Sequence, residues 1–251
     1  MTIEIGTILA DLLTWRVAAG ALAVVIAGLM RGYAGFGTAI LLAPIFSALW
    51  GPRAGVPILL LMEMLVSIQL LPKSWREANH KVILPMSGAA TLAMPLGAYV
   101  LFTADGDVLR RVIGGLVLVF GFALMSRWRY HGSRPLPLNL GIGTISGLMK
   151  GATGMSGPPV ILYLLAGKEA AREHRANLIL YFATIAVVSV IPPLVGGIID
   201  ATVLLRTAVM LPVMLVAVPI GARLFHVIPE RWYRRFAFGM LVSAGGIALL
   251  A

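Results

Sequence analysis

The sequence contains no cysteine and little acid, with ten Asp and Glu against twenty Lys and Arg in 251 residues. Without cysteine, disulfides, thiol chemistry and Cys-ligated metal sites are excluded. The four histidines, His80, His131, His174 and His226, fall in or beside predicted loops, so neither a His-based metal site nor a cofactor is expected. No Walker-type glycine-rich Lys-Ser/Thr motif occurs, which argues against an ATP-driven pump. Paired acids, a histidine cluster and a nucleophile–base set are also missing from the apolar segments, so an enzyme is not expected. Charge itself is scarce. Only 12% of residues are charged, where a soluble domain carries about a quarter.

Hydrophobic residues fill that space, at 59% of the chain and a mean hydropathy of +0.95. Long apolar runs cover residues 56–71, 92–102, 112–125 and 203–222 and read as membrane spans rather than buried core. The N-terminus does not read as a cleavable signal, because Glu4 and Asp11 stand where a basic n-region belongs. A net charge of +10 would suggest nucleic acid in a soluble protein. In a membrane protein it is explained by loop cations that set orientation, and no nucleic-acid partner is needed. Trp15, Trp50, Trp75, Trp128 and Trp232 lie near predicted membrane edges, as interfacial anchors do.

The chain also repeats itself. Gly28-Leu-Met-Arg-Gly32-x-x-Gly35 matches Gly147-Leu-Met-Lys-Gly151-x-x-Gly154, 119 residues later. Pro95-Leu-Gly97-Ala98 matches Pro219-Ile-Gly221-Ala222, and 13 residues beyond each of those glycines stands an Arg pair, Arg110-Arg111 and Arg234-Arg235. The motifs recur in the same order with the same internal spacing, so the chain is read as a duplication. The predicted halves are 1–127 and 128–251. The first holds a hairpin of about 15–50 and spans of about 55–71, 82–102 and 108–126. The second holds a hairpin of about 138–167 and spans of about 176–198, 202–224 and 233–250. The leading segments of the second hairpin read as about a dozen residues each, or roughly 18 Å, too short for a ~30 Å hydrocarbon core.

Thirteen Lys and Arg lie in the loops near 73–81, 127–134, 168–175 and 223–235, against Arg16, Arg53, Arg110, Arg111 and Arg206 in the alternate set. That bias places the first set in the cytoplasm, with Arg110-Arg111 as the exception on the outer side. Each half crosses the bilayer an odd number of times, so the halves are inverted and both termini are expected outside. The predicted fold is an all-α polytopic membrane protein. It has two inverted-topology repeats, each a re-entrant or broken helical hairpin plus three transmembrane helices, in one integral membrane domain.

Inverted hairpins bring their glycine-rich tips together near the midplane. At the first stand Arg31, Gly32, Gly35, Phe36, Gly37 and Thr38; at the second, Lys150, Gly151, Thr153, Gly154, Ser156, Gly157 and Pro158. Glycine lets backbone approach a ligand, and a helix N-terminus offers free N–H groups and partial positive charge. With two cations and several hydroxyls, this is a candidate site for a small oxyanion. Other roles stand beside it. Gly28 and Gly147 are read as helix-packing positions. Arg31 and Lys150 would snorkel if their helices spanned fully, an alternative disfavoured by the short second hairpin. Pro158-Pro159 also suits a first helical turn. Glu63, the acid inside a predicted span, reads either as a proton-coupling group or as a structural partner of Arg31 or Lys150. Asn177 and Tyr181 are placed to face the site, although helix starts often carry polar residues.

"GLMRGYAGFGTAILLAPIF" and "GLMKGATGMSGPPVILYLLAG" resemble the paired glycine motifs of the TauE/SafE sulfite exporter family, also called toluene sulfonate uptake permeases. The resemblance covers essentially the whole chain. The second motif is the more specific; in the first, the family's run of glycines is reduced to Gly35-Phe36-Gly37-Thr38. The resemblance implies transport of sulfite, thiosulfate or an organosulfonate across the bacterial inner membrane. The expected partners are therefore a small anion, coupled protons and the lipid bilayer, with the particular anion and the oligomeric state left open. The leading expectation is a secondary transporter, an exporter, working by alternating access. The alternative is a passive anion channel with the same cationic constriction as its filter.

Overall fold

In hydrocarbon every backbone N–H and C=O must be satisfied within its own segment, so apolar runs of this length form helices. The computed structural model describes residues 14–125, 134–164 and 171–224, and all regular structure among them is helical. The elements are α1 (Trp15–Ala34), α2 (Thr38–Trp50), α3 (Pro52–Trp75), α4 (His80–Thr103), α5 (Gly106–Met125), α6 (Leu136–Thr153), α7 (Gly157–Leu164), α8 (Ala171–Ser189), α9 (Ile191–Val195) and α10 (Ala201–Leu224). Among the described residues, five stretches are long and apolar enough to cross a membrane: Trp15–Ala34, Pro52–Pro72, His80–Thr103, Glu173–Val195 and Ala201–Leu224. The outward faces of these helices are apolar. Leu92 and Val195 are each 82% exposed, which suits a lipid environment and no aqueous one. The protein is a multi-pass membrane protein.

Two of the scarce acids serve helix starts. The Asp105 carboxylate accepts from the N–H groups of Asp107 and Val108 at the start of α5, and Asp200 accepts from the Val203 N–H at the start of α10. Both satisfy first-turn donors and oppose the positive helix end. Glu63, buried in the middle of α3, is the departure from this pattern.

Two segments differ from the sequence expectation. The first arm of the second hairpin is α6, 18 residues long, which at 1.5 Å per residue is about 27 Å. Gly141, Gly143, Thr144 and Gly147 dilute its hydropathy but do not end the helix, because α4 packs along it and supplies the contacts that propensity lacks. The length of this arm therefore does not by itself hold Lys150 inside the membrane. The predicted 176–198 span is present as Glu173–Val195 but is interrupted at Val190, with α8 ending at Ser189 and α9 beginning at Ile191 before Pro192-Pro193. The predicted 233–250 span, both chain termini, and residues 165–167 of the second hairpin lie outside the described residues.

Helix packing links the halves reciprocally. The first arm of each hairpin crosses the second span that follows the hairpin of the other half: α1 against α10, and α6 against α4. A Cβ on Gly221 would meet the Leu29 carbonyl, and one on Gly97 would meet the Leu148 carbonyl. In return, Gly32 lies against Val218 and Ala222, and Gly151 against Met94 and Ala98. Leu29 and Leu148 are 119 residues apart, and Gly97 and Gly221 are equivalent positions of the second repeated motif. The duplicated glycines thus meet duplicated partners, at backbone-to-backbone distances that small residues alone permit.

Candidate functional site

Each hairpin breaks in the same way. α1 ends on Gly35 at φ 81°, with its N–H donating to the Arg31 carbonyl. α6 ends on Gly154 at φ 75°, with its N–H donating to the Lys150 carbonyl. The left-handed conformation at these caps favours glycine and lets each chain reverse within three residues. Each cation therefore sits in the last turn of its helix, where the carbonyl end of the helix dipole attracts it. Packing brings both to Glu63. Arg31, Lys150 and Thr38 are each 1% exposed and Glu63 is 4% exposed, so neither cation snorkels.

The two cations have different partners. Lys150 Nζ donates to Glu63 Oε2 in a buried ion pair and to the Gly154 carbonyl at 3.2 Å. The other carboxylate oxygen of Glu63 accepts from the Thr38 hydroxyl at 2.6 Å. One carboxylate thereby ties α3 to the start of α2 and the end of α6. Arg31 donates from Nη2 to the Ser67 hydroxyl at 3.1 Å and lies over the Phe182 ring, 5.3 Å from its centroid. Its Nε is buried without a hydrogen-bond partner among the described residues.

The second arms differ as well. In α2 the first intrahelical bond runs from the Leu41 N–H to the Gly37 carbonyl, so the N–H groups of Thr38, Ala39 and Ile40 precede it, with no side-chain cap. In α7 the corresponding turn contains Pro158-Pro159, which have no N–H to offer. The first tip is therefore the better equipped to receive an anion.

The other expected site residues fall around this centre. Gly37, at φ 112°, completes the first break with the half-buried Phe36. Gly32 and Gly151 sit in the helix crossings, although the Gly32 carbonyl also accepts from Arg175 Nη2 at 2.8 Å. The Thr153 hydroxyl turns back to the Met149 carbonyl and accepts from the Met155 N–H. Gly157 opens α7, where a Cβ would lie 3.6 Å from Phe182 Cζ. Pro158 follows it, and its side chain lies outside the described residues. The Ser156 carbonyl accepts from Ser146 Oγ, which in turn accepts from the Tyr181 hydroxyl, each at 2.7 Å. Asn177 receives the Asn79 N–H on Oδ1, while its buried Nδ2 has no partner among the described residues.

Ser67, Ser146 and Phe182 were missed in the sequence. Ser67 is one helical turn beyond Glu63, and Ser146 one turn before Lys150, so i,i+4 spacing would have found both. Phe182 lies 119 residues beyond Glu63, the offset already set by the glycine motifs.

A family model described as "Sulfite exporter TauE/SafE" matches residues 20–248. The chain is 26% identical over 227 residues to a probable sulfite/organosulfonate exporter TauE of Cupriavidus necator, covering 86% of this chain and 87% of that protein. No solved structure matches. The family consists of membrane transporters and not of enzymes, so the resemblance in the two glycine motifs and the match over the chain agree. This chain belongs to the TauE/SafE sulfite exporter family.

Proposed function

We propose that the protein is a secondary transporter that exports a small sulfur-containing anion, such as sulfite, thiosulfate or an organosulfonate, across the bacterial inner membrane. The halves insert with inverted topology and both termini outside, and alternating access proceeds around a midplane site where the two tips meet. Arg31 and the first turn of α2 hold the anion. Glu63, shared between Lys150 and Thr38, takes the coupling proton. One observation carries this reading: Arg31 is 1% exposed and its Nε has no hydrogen-bond partner among the described residues, while the neighbouring lysine has taken the carboxylate. Intramembrane charges of this kind serve cargo or proton pathways. Membership of an exporter family does not favour the passive channel.

Reconstituted vesicles test the proposal. Sulfite efflux is expected to saturate, to show counterflow, and to depend on pH in the parent but not in Glu63→Gln. Currents far above carrier rates would overturn the transporter, and an unchanged pH dependence in Glu63→Gln would leave that residue structural.

A further inference from the structure

The two halves present equivalent positions with unequal charge. Under the 119-residue offset Arg31 corresponds to Lys150, and Glu63 corresponds to Phe182. The packing follows the same offset: a Cβ on Gly35 would meet Arg175 and Ile179, and one on Gly154 would meet Val56 and Leu59. Residues 56 and 175 are themselves 119 apart. The lysine of the second half therefore has a carboxylate where the arginine of the first half has a phenyl ring. A ring face attracts a cation but cancels none of its charge.

Given the anion site proposed above, we infer that Phe182 sets the charge of the cargo: its neutral ring leaves the buried cluster one net positive charge, and the site takes a monovalent, sulfonate-type anion. The count is one positive charge each on Arg31 and Lys150 and one negative charge on Glu63. Among the described residues, the ionised groups that act on Glu63 are those two cations, and Thr38 contributes a neutral hydroxyl. α8 presents neutral Tyr181 and Phe182, and α4, α5 and α10 bring no ionised group to it. Arg175, half-buried beside Gly32, also acts on Arg31 from outside that cluster, and Glu77 within its own electrostatic reach offsets its charge. The head group of the cargo takes at Arg31 the place that the Glu63 carboxylate takes at Lys150, accepting from Nε and from the first turn of α2. A divalent anion enters on equal terms only when Glu63 is uncharged.

Isothermal titration of the detergent-solubilised full chain at neutral pH, with methanesulfonate and sulfate as probes, tests this. The parent is expected to prefer methanesulfonate by about tenfold or more. Glu63→Gln raises the net charge to two and is expected to move the preference toward sulfate by about tenfold. Phe182→Glu supplies the missing carboxylate and is expected to abolish methanesulfonate binding, whereas Phe182→Leu keeps the parental charge preference. Should Phe182→Glu fail to elute as a folded species, the Glu63→Gln ratio decides alone. Equal binding of both probes by the parent, or an unchanged ratio in Glu63→Gln, overturns the charge selection and leaves the anion site standing. Binding of neither probe, nor of sulfite, removes the anion site itself and this inference with it.

Discussion

Arg31 and Lys150 occupy the last turns of helices that end on the same left-handed glycine cap, yet their surroundings diverge. Lys150 is held by a carboxylate and a carbonyl, and belongs to a closed set of hydrogen bonds. Arg31 has a serine, an aromatic face and an unused Nε. The same backbone geometry at both glycine caps makes two similar cradles. Single side chains on the helices that pack against them, Glu63 on α3 and Phe182 on α8, give one cation a carboxylate partner and leave the other with a buried Nε that has no hydrogen-bond partner among the described residues.

Lys150→Ala should separate the two tips most sharply. It leaves Glu63 buried without its direct partner, at a cost of about 3–5 kcal/mol, read as a large drop in melting temperature in detergent. The joint replacement Lys150→Met with Glu63→Leu should recover most of it; a single variant as stable as the parent would mean that the ion pair does not form. Next come the crossings that make the halves equivalent. Gly97→Val and Gly221→Val should each destabilise by about 1–3 kcal/mol through overpacking against Leu148 and Leu29. Markedly unequal losses would break the equivalence of α4 and α10. Arg31→Ala should lower sulfite affinity by about tenfold or more while costing less stability than Lys150→Ala, because no carboxylate is stranded. The reverse ranking in paired calorimetry and thermal melts would exchange the roles of the tips. The smallest effects belong to the hydroxyls. Thr38→Val and Ser67→Ala should each cost about 1 kcal/mol, the first altering the pH dependence of transport and the second the anion affinity. If both changed the same property, the two tips would not be functionally distinct.

Much of the architecture was legible in the sequence because the signals were local or repeated. Apolar runs locate the spans, and the glycine motifs locate both breaks: Gly35 and Gly154 are where the helices end. The local pattern leaves Arg31 and Lys150 equally available to Glu63, and the choice depends on how α3 packs against α2, α8 and α10. The extent of α6 is hidden in the sequence for a related reason. Its glycines weaken hydropathy and propensity, while the contact with α4 that sustains it joins residues far apart in the chain.

By itself, the sequence determined that this chain lives in a membrane, that its glycine motif occurs twice, and that each copy sets one cation beside a glycine break. Those features follow from composition and spacing, and transfer free energy acts on them residue by residue. Only the tertiary structure decided that Lys150 keeps Glu63 and that Arg31 faces Phe182. A buried charge is satisfied by whatever the packing brings within a few ångströms, and in this fold that is a residue from another helix, 36 or 87 positions away along the chain.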